Sequence, residues 1–341
     1  LLQIYLQQIR NFKSYFLFSS KFPFILVCQE AQSMELSSIK HIESAQLADY
    51  QADLFITCLG FESRSTQVAR LFEGHSCKKI ALEKEKLIRE FSYHENRNYL
   101  EGQHFEFFPL EAGFPVLDQV FESLENDDIQ VALDCTNMSP RWYFEFFKWF
   151  DRKHLEDGRI RLRVFYTMAA YVRQTGTRKV KKLISFLKED VKSVPSKKTA
   201  LILGLGQEKQ LAESIFQLVN PDLLYLYYAD PPVEKHFVQK VFENNHNLIN
   251  ETAIRNLIAY PIRNGQTIYQ SLINTILPLR NEYSIVLVPH GPKIFSLVSM
   301  LVHLGYPDIS IFYPRFKKQS PSDRLPKDEP VVLDILFEGE E

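Results

Sequence analysis

A histidine and a lysine stand where an apolar segment ends, in the stretch SIVLVPHGPKIFSLVSML at residues 284–301. His290 and Lys293 lie on either side of Gly291, whose missing side chain lets a ligand approach the backbone. An imidazole can act as a general acid or base, and an ammonium group attracts phosphate or carboxylate. The pattern therefore predicts an anion-binding site, in which His290 is the catalytic residue if the protein is an enzyme.

The first half of the sequence has a second polar turn after a buried-strand pattern, in IQVALDCTNMSPRWYFEFFKWF at residues 129–150. The candidate ligand-binding residues of this turn are Asp134, Thr136, Asn137, Ser139 and Arg141. Short side chains that form hydrogen bonds also cap helices, so a structural role is the alternative. A cation at a helix start opposes the helix dipole, which predicts that removing Lys293 or Arg141 leaves stability unchanged or slightly raised.

Further candidates follow the first and fifth predicted strands of the two halves, in LGFESRSTQ, LGLGQEKQ and FYPRFKK. The residues concerned are Gly60, Ser63, Arg64, Gly204, Gly206, Tyr313 and Arg315. Glycine permits close approach of a ligand, a guanidinium forks onto an oxyanion, and a tyrosine ring can stack on a base. LGLG also resembles the opening of a dinucleotide fingerprint, but Lys209 stands where the third glycine belongs, so this is a weak signal for NAD binding.

Strand patterns alternate with helical patterns in both halves of the chain, which is typical of βαβ units. The predicted strands are residues 53–60, 78–83, 105–110, 130–135 and 162–168, then 199–206, 223–229, 256–262, 284–289 and 309–315. The halves agree in the order of their elements and in the glycine and proline residues that end them. This agreement predicts an α/β fold of two tandem Rossmann-like lobes with mainly parallel five-stranded sheets, related as an internal pseudo-repeat. Resemblance between any two α/β units is the alternative explanation.

The loops after the first and fourth strands of each lobe are the expected ligand site. In open parallel sheets, ligands bind beyond the carboxyl ends of the strands, where the strand order reverses, and helix N-termini there favour anions. The predicted division is an N-terminal extension outside the main fold (1–33), a first lobe (34–187), a linker (188–198), and a second lobe with a short C-terminal tail (199–341). The first lobe is expected to open with a helix in ELSSIKHIES.

The composition is that of an ordinary soluble globular protein, since 45% of the 341 residues are apolar and 24% are charged. A formal net charge of −2 gives no general attraction to duplex nucleic acid. Four cysteines without CxxC spacing favour reduced thiols and a cytoplasmic protein. The sequence predicts no transmembrane span, no metal site and no resident cofactor, and it contains neither a Walker loop nor HExxH nor GxSxG.

The turn with Asp134, Thr136 and Ser139 resembles that of CARF domains, which are Rossmann-like sensors of cyclic oligoadenylates in CRISPR defence. Asn137 and Met138 replace the two glycines of the family pattern, and Pro140-Arg141 replaces its lysine. The LGFESRS loop occupies the position of the family's other ligand loop. CARF domains usually bind their ligand between two copies, so the resemblance implies a ligand shared by the two lobes of this chain.

Three classes of function are compatible with these residues. The first is a sensor of a nucleotide or other phosphate-bearing ligand, such as a cyclic oligonucleotide, that acts in antiviral defence through a partner effector. The second is a nucleotide-processing enzyme for phosphodiester cleavage or glycosidic transfer, in which His290 is the general acid or base. The third is a protein-interaction scaffold that binds no small molecule.

Overall fold

Strands and helices alternate along the chain, as the sequence predicts. The structure is a computed structural model, and it describes residues 35–338 except 48, 85–87, 111–113, 125–127, 158, 172–179, 181, 186–196, 235 and 316–320. The described strands are β1 Glu35–Ile42, β2 Leu54–Cys58, β3 Lys78–Glu83, β4 Glu106–Pro109, β5 Asp128–Asp134, β6 Arg159–Tyr166, β7 Lys182–Ile184, β8 Lys198–Gly204, β9 Leu223–Ala229, β10 Leu257–Tyr260, β11 Tyr283–Val288, β12 Ser310–Ile311, β13 Tyr313–Arg315 and β14 Val331–Glu338. The described α-helices are α1 Gln67–Leu71, α2 Tyr93–Gly102, α3 Phe114–Glu122, α4 Pro140–Asp157, α5 Leu211–Val219, α6 His236–Glu251, α7 Gly265–Ile276 and α8 Lys293–Gly305.

The first sheet has the order β1-β14-β6-β5-β2-β3-β4. Its five strands from β6 to β4 are parallel, whereas β14 pairs antiparallel with both β6 and β1. The expected sheet of five strands is therefore a sheet of seven. Strand β2, in the middle of the five parallel strands, is buried at every residue, as a strand covered on both faces must be.

The second sheet has the order β10-β9-β8-β11-β12, and all its strands are parallel. Numbered within each lobe, the five parallel strands of both sheets follow the same Rossmann-like order, 3-2-1-4-5. The α/β fold with mainly parallel sheets is thus confirmed. A shared strand order is what an internal repeat requires, and the repeat itself stays a prediction.

Two segments at the ends of the predicted lobes behave differently from expectation. ELSSIKHIES, expected to be helical, forms strand β1, because Ile39 and Ile42 turn towards apolar neighbours while the backbone pairs with β14. The tail expected in the second lobe returns to the first sheet as β14, where Val331, Val332 and Leu333 are buried.

The predicted last strand of the second lobe is split at Phe312. Residues 310–311 pair with β11, whereas residues 313–315 leave that sheet and pair antiparallel with β7. This two-stranded sheet joins the two halves of the chain, since β7 precedes the second lobe in sequence.

One hydrophobic core cluster contains side chains of both lobes. Helix α8 is buried from Ile294 to Leu304, and a helix that is apolar on all sides belongs in an interior. It packs against α4 of the first lobe and α7 of the second, and its side chains belong to the same core cluster as those of β5 and β14. The apolar stretch after Lys293 is therefore the central helix of the molecule.

Some expectations concern other parts of the chain. The N-terminal extension at residues 1–33 lies outside the described residues, as do residues 188–196 of the predicted linker. No helix among the described residues is long and apolar enough to cross a membrane.

Candidate ligand site

A cavity of about 740 Å3 lies where the carboxyl ends of the strands of both sheets meet. The first lobe contributes residues that follow β2, β5 and β6, and the second contributes residues that follow β8, β9, β10, β11 and β12. The polar and aromatic residues of its wall are Arg64, Tyr143, Tyr166, Gln207, Glu208, Phe237, His290, Lys293, Ser296, Tyr313, Arg315 and Arg324. A cavity of this size is within the usual range for small-molecule sites.

The position of the cavity follows from the strand order. In both sheets the order reverses between the first and fourth strands of the lobe, which are β2 and β5 in one and β8 and β11 in the other. Helices α4 and α8 begin directly after these fourth strands, and Pro140, Pro292 and Lys293 line the cavity. The positive ends of two helix dipoles therefore point towards the same space.

Lys293 connects the two lobes at this point. Its Nζ donates hydrogen bonds to the backbone carbonyls of Thr136 at 2.6 Å and Met138 at 2.9 Å, with that of Cys135 at 3.4 Å. All three carbonyls belong to the first lobe's turn after β5. A residue expected to lie open to an anion is thus already bound to backbone oxygen atoms, although it also lines the cavity.

The environment of Lys293 disfavours its charged form. Removal of the ammonium group from water, together with the nearby Arg64 guanidinium, lowers the pKa of Lys293 to about 7. Glu62 acts in the opposite direction. Additional negative charge in the cavity would therefore stabilise the protonated lysine.

Arg64 extends from the loop after β2 into the cavity wall, and it is only 4% exposed. Its Nε donates to Glu62 at 2.6 Å and its Nη1 donates to the carbonyl of Thr167 at 2.6 Å. The other carboxylate oxygen of Glu62 lies 3.6 Å from Nε of Arg324. The Glu62 carboxylate thus forms ion pairs with the guanidinium groups of both Arg64 and Arg324.

The segment that carries Arg324 is fixed to the first lobe by residue 323. Asp323 accepts hydrogen bonds from the backbone N–H of Ser63 at 2.7 Å and from the hydroxyl of Ser63 at 2.5 Å. The backbone N–H of Arg64 also donates to the carbonyl of Arg324. Ser63, expected to bind ligand, therefore positions the tail that completes the cavity wall.

His290 and Glu208 form a pair on the second lobe's side of the cavity. The Nε2 atom of His290 lies 2.8 Å from a carboxylate oxygen of Glu208, and both side chains are 12% exposed. A side chain on Gly206 would overlap both groups, and one on Gly204 would overlap the backbone carbonyl of His290. These two glycines allow the two loops to pack together.

Gly291 is needed for a different reason. Its φ of +105° is a conformation that residues with side chains rarely adopt, and a Cβ there would lie 2.6 Å from the carbonyl oxygen of Leu205. The sequence predicted close approach of a ligand at this glycine, and the structure shows close approach of another loop.

Three hydroxyl groups form a neutral cluster on another part of the wall. Ser296 Oγ lies 2.6 Å from the hydroxyl of Tyr143 and 3.0 Å from that of Tyr313. Tyr143 comes from the first lobe and the other two residues from the second. Burial raises the pKa of both tyrosines, so they stay protonated at neutral pH.

The polar turn after β5 uses its side chains within the first lobe. Asp134 accepts from the Thr57 hydroxyl at 3.0 Å and from the Thr136 N–H at 2.9 Å, and burial raises its pKa. The Thr136 hydroxyl accepts from the Thr167 N–H. Asn137 bonds to the Cys58 carbonyl, and its side chain fills the space beside Gly60. These contacts are those expected if the polar turn has a structural role.

The structure brings seven of the predicted residues to the cavity wall, namely Arg64, Gly206, His290, Gly291, Lys293, Tyr313 and Arg315. The others are absent from its described lining, namely Gly60, Ser63, Asp134, Thr136, Asn137, Ser139, Arg141 and Gly204. Arg141 is exposed in the first turn of α4. The two basic residues that follow the fourth strands therefore have different surroundings.

Sequence reasoning missed Glu208, Arg324, Tyr143 and Ser296 as residues of the site. The sequence shows Glu208 only as an acidic residue within GQEK, and it does not show which loop faces His290. Arg324 lies in a polar stretch that resembled an ordinary tail. Among the described residues, no group of three or more His, Cys, Asp and Glu side chains could hold a metal ion.

Comparisons with known proteins give no family assignment. No protein-family model and no curated protein sequence matches the chain. Among solved structures, it is weakly similar to phosphoethanolamine N-methyltransferase 1 of Haemonchus contortus, solved in complex with phosphoethanolamine and S-adenosylhomocysteine. The identity is 8%, the match covers 84% of this chain and 88% of that one, and the TM-score is 0.20. A similarity at this level supports no conclusion about function.

Proposed function

We propose that the cavity binds a nucleotide or another phosphate-bearing small molecule, and that the protein is a sensor of this ligand. The observation that carries the proposal is that the carboxyl ends of both sheets open onto one cavity with cationic and aromatic walls. Arg64, Arg324 and Lys293 offer positive charge, and Tyr166 and Tyr313 offer ring surfaces. Phosphate attracts the first group and a base or sugar packs on the second.

The proposed role as a sensor is supported by the cavity wall, to which both lobes contribute residues. A ligand in this cavity would contact both lobes, so its binding energy would depend on how the lobes are arranged. We infer that the output passes to a partner effector through this dependence. Within the CARF-like interpretation the ligand is a cyclic oligonucleotide and the process is antiviral defence signalling.

A thermal-shift panel tests the proposal on the full chain. Mononucleotides, dinucleotides, cyclic oligoadenylates and phosphosugars are compared with their dephosphorylated forms, and at least one phosphorylated compound is expected to raise the melting temperature. The control variant is Arg141→Gln, which should respond as the parent does. If no phosphate-bearing compound shifts the melting temperature at millimolar concentration, the scaffold alternative gains support.

The His290–Glu208 pair supports a second candidate function, a nucleotide-processing enzyme. A carboxylate that holds one ring nitrogen of an imidazole fixes the orientation of the ring, and such an orienting contact is part of the arrangement of a general base. Product analysis after incubation with each binding compound separates the alternatives. An enzyme would convert the ligand, and His290→Asn would abolish conversion while retaining binding. A sensor without activity would return the ligand unchanged.

A further inference from the structure

The cationic end of the cavity is short of negative charge. Arg64, Lys293 and Arg324 line it, while Glu62, which pairs with both arginines, is absent from the described lining. With the lysine protonated, the described lining of the whole cavity contains four cationic side chains, Arg64, Lys293, Arg315 and Arg324, and one carboxylate, that of Glu208. The Arg64 guanidinium disfavours the charged form of Lys293, and an anion bound beside both groups would offset this repulsion.

Two of the three cations lie beside one aromatic ring. The guanidinium of Arg64 and the ammonium of Lys293 each lie 5.8 Å from the centre of the Tyr166 ring, on loops that come from opposite lobes. Arg324 is joined to Arg64 through Glu62. The helices α4 and α8 also begin at this wall, so their dipoles add to the positive potential.

We propose that this end of the cavity is a subsite for a terminal phosphate monoester, held by Arg64, Lys293 and Arg324. This inference rests on the proposed function and narrows its ligand class. A phosphate monoester carries a charge of about −1.5 to −2 at pH 7, so this excess of cations attracts it more strongly than a phosphodiester, which carries only one negative charge. The ligand class is therefore a nucleoside 5′-monophosphate or an oligonucleotide with a terminal phosphate.

Binding of a dianion is expected to be coupled to protons. Because burial and Arg64 lower the pKa of Lys293 to about 7, an anion beside it raises that pKa and binding takes up a proton above pH 7. The charged and titratable groups that face the lysine are Glu62 and Arg64 after β2, Lys84 after β3, Asp134 and Cys135 at the end of β5, and Tyr166 at the end of β6. Affinity should thus fall as pH rises through the ligand-bound pKa of Lys293.

Isothermal titration calorimetry with matched nucleotides tests the subsite. Each of the four nucleoside 5′-monophosphates is paired with its 3′,5′-cyclic form, which has the same base and sugar but one negative charge. For a base that the cavity accepts, we expect the 5′-monophosphate to bind at least about tenfold more tightly than its cyclic form. This difference is equivalent to one charged hydrogen bond. The affinity of the monophosphate should also fall below about pH 6, where the monoester gains a proton, and the cyclic form should lack this decrease.

Two variants of opposite charge sharpen the result. Arg324→Gln should weaken the monophosphate by about tenfold, whereas Glu62→Gln removes the competing carboxylate and should strengthen it. Arg141→Gln is the control, since this exposed arginine lies at a helix start outside the cavity lining. The melting temperature of each variant shows whether it has folded.

The outcomes separate the subsite from the proposed function. If cyclic nucleotides or cyclic oligoadenylates bind and no monophosphate does, the subsite is wrong while the ligand function stands. Equal weakening by Arg324→Gln and Glu62→Gln would also overturn the subsite, because charge would not then decide binding. If no compound of the phosphate-bearing panel binds, the proposed function fails and the subsite fails with it.

Discussion

The turns that follow β5 and β11 occupy the same place in two sheets of the same strand order, yet they use their polar groups differently. The turn after β5 directs Asp134, Thr136 and Asn137 back into its own lobe. The turn after β11 directs His290 towards another loop of its own lobe and Lys293 towards the opposite lobe. The side chains of the first turn are engaged within their own lobe, and the second turn supplies a lysine that reaches the other lobe.

This difference shows why the position of a loop predicts a site better than its residue types do. The turn after β5 has more side chains that form hydrogen bonds, but hydrogen bonds within the lobe occupy them. Lys293 comes from the turn with fewer such groups, and it both lines the cavity and donates to the backbone of the first turn. The turn after β5 provides the carbonyl acceptors and the turn after β11 provides the lysine donor of one contact between the lobes. Substitutions made separately in each turn test this interpretation.

The largest effect is expected from Gly204→Ala. A methyl group at Gly204 would overlap the backbone carbonyl of His290, which cannot move without displacing the turn after β11. The corresponding glycine in the first lobe, Gly60, would meet side-chain atoms of Asn137 and Ser65. We expect Gly204→Ala to cost roughly 3 kcal/mol or more in unfolding free energy, and Gly60→Ala about 1–2 kcal/mol.

Urea denaturation of both variants measures the comparison. Equal costs would mean that the turn after β11 adjusts as easily as a side chain does, and the two lobes would then be packed with similar tolerance at these glycines.

The next largest effect concerns Lys293, for which the structure changes the expectation drawn from the helix dipole. Replacement by methionine keeps the length of the side chain but leaves the carbonyls of Thr136 and Met138 without this donor. We expect Lys293→Met to lower the unfolding free energy by about 1–3 kcal/mol at about pH 8. Arg141→Met, at the matching position of the first lobe, should change it by less than about 0.5 kcal/mol.

Chemical denaturation of the two variants beside the parent gives these values. Unchanged stability in Lys293→Met would show that the dipole and burial penalties offset the three carbonyl contacts, and raised stability would show that they outweigh them, as the sequence alone predicted.

A smaller effect, counted per pH unit, is expected from pH. Between about pH 7, the folded pKa of Lys293, and its ordinary value of 10.5, the unfolded chain binds a proton that the folded chain lacks. The contribution of Lys293 to stability therefore rises with pH in this window, by at most about 1.4 kcal/mol per pH unit. The difference in unfolding free energy between parent and Lys293→Met, followed from neutral to alkaline pH, measures it. A difference that does not depend on pH would mean that the lysine has an ordinary pKa.

The sequence predicted much of the fold because the pattern of strands and helices is local. The apolar runs of β2, β5, β8 and β11 and the helices between them can be read directly from periodicity. The pairing of β14 could not be predicted, since VVLDILFE would suit either sheet and only long-range packing places it between β6 and β1.

The sequence predicts the position of the cavity but only some of the residues that line it. Gly206, His290 and Lys293 follow strands at the points where the order reverses, which a sequence can show. Their partners depend on how two lobes meet. Glu208 and Arg324 reach the wall through contacts between segments that are far apart in sequence, and no local pattern distinguishes them from solvent-exposed charges.

The smallest effect is expected at the neutral contact between the lobes, where Tyr143 and Ser296 share a hydrogen bond of 2.6 Å. Tyr143→Phe should lower the unfolding free energy by about 0.5–1.5 kcal/mol, because a buried hydroxyl partner is lost without a change of charge. A double-mutant cycle with Ser296→Ala should give a coupling of at least about 0.5 kcal/mol. Tyr260→Phe is the control, since the structure gives the buried Tyr260 hydroxyl no hydrogen-bond partner among the described residues, and its removal should leave stability unchanged or raised. A coupling near zero would mean that the hydroxyl cluster adds nothing to the contact between α4 and α8.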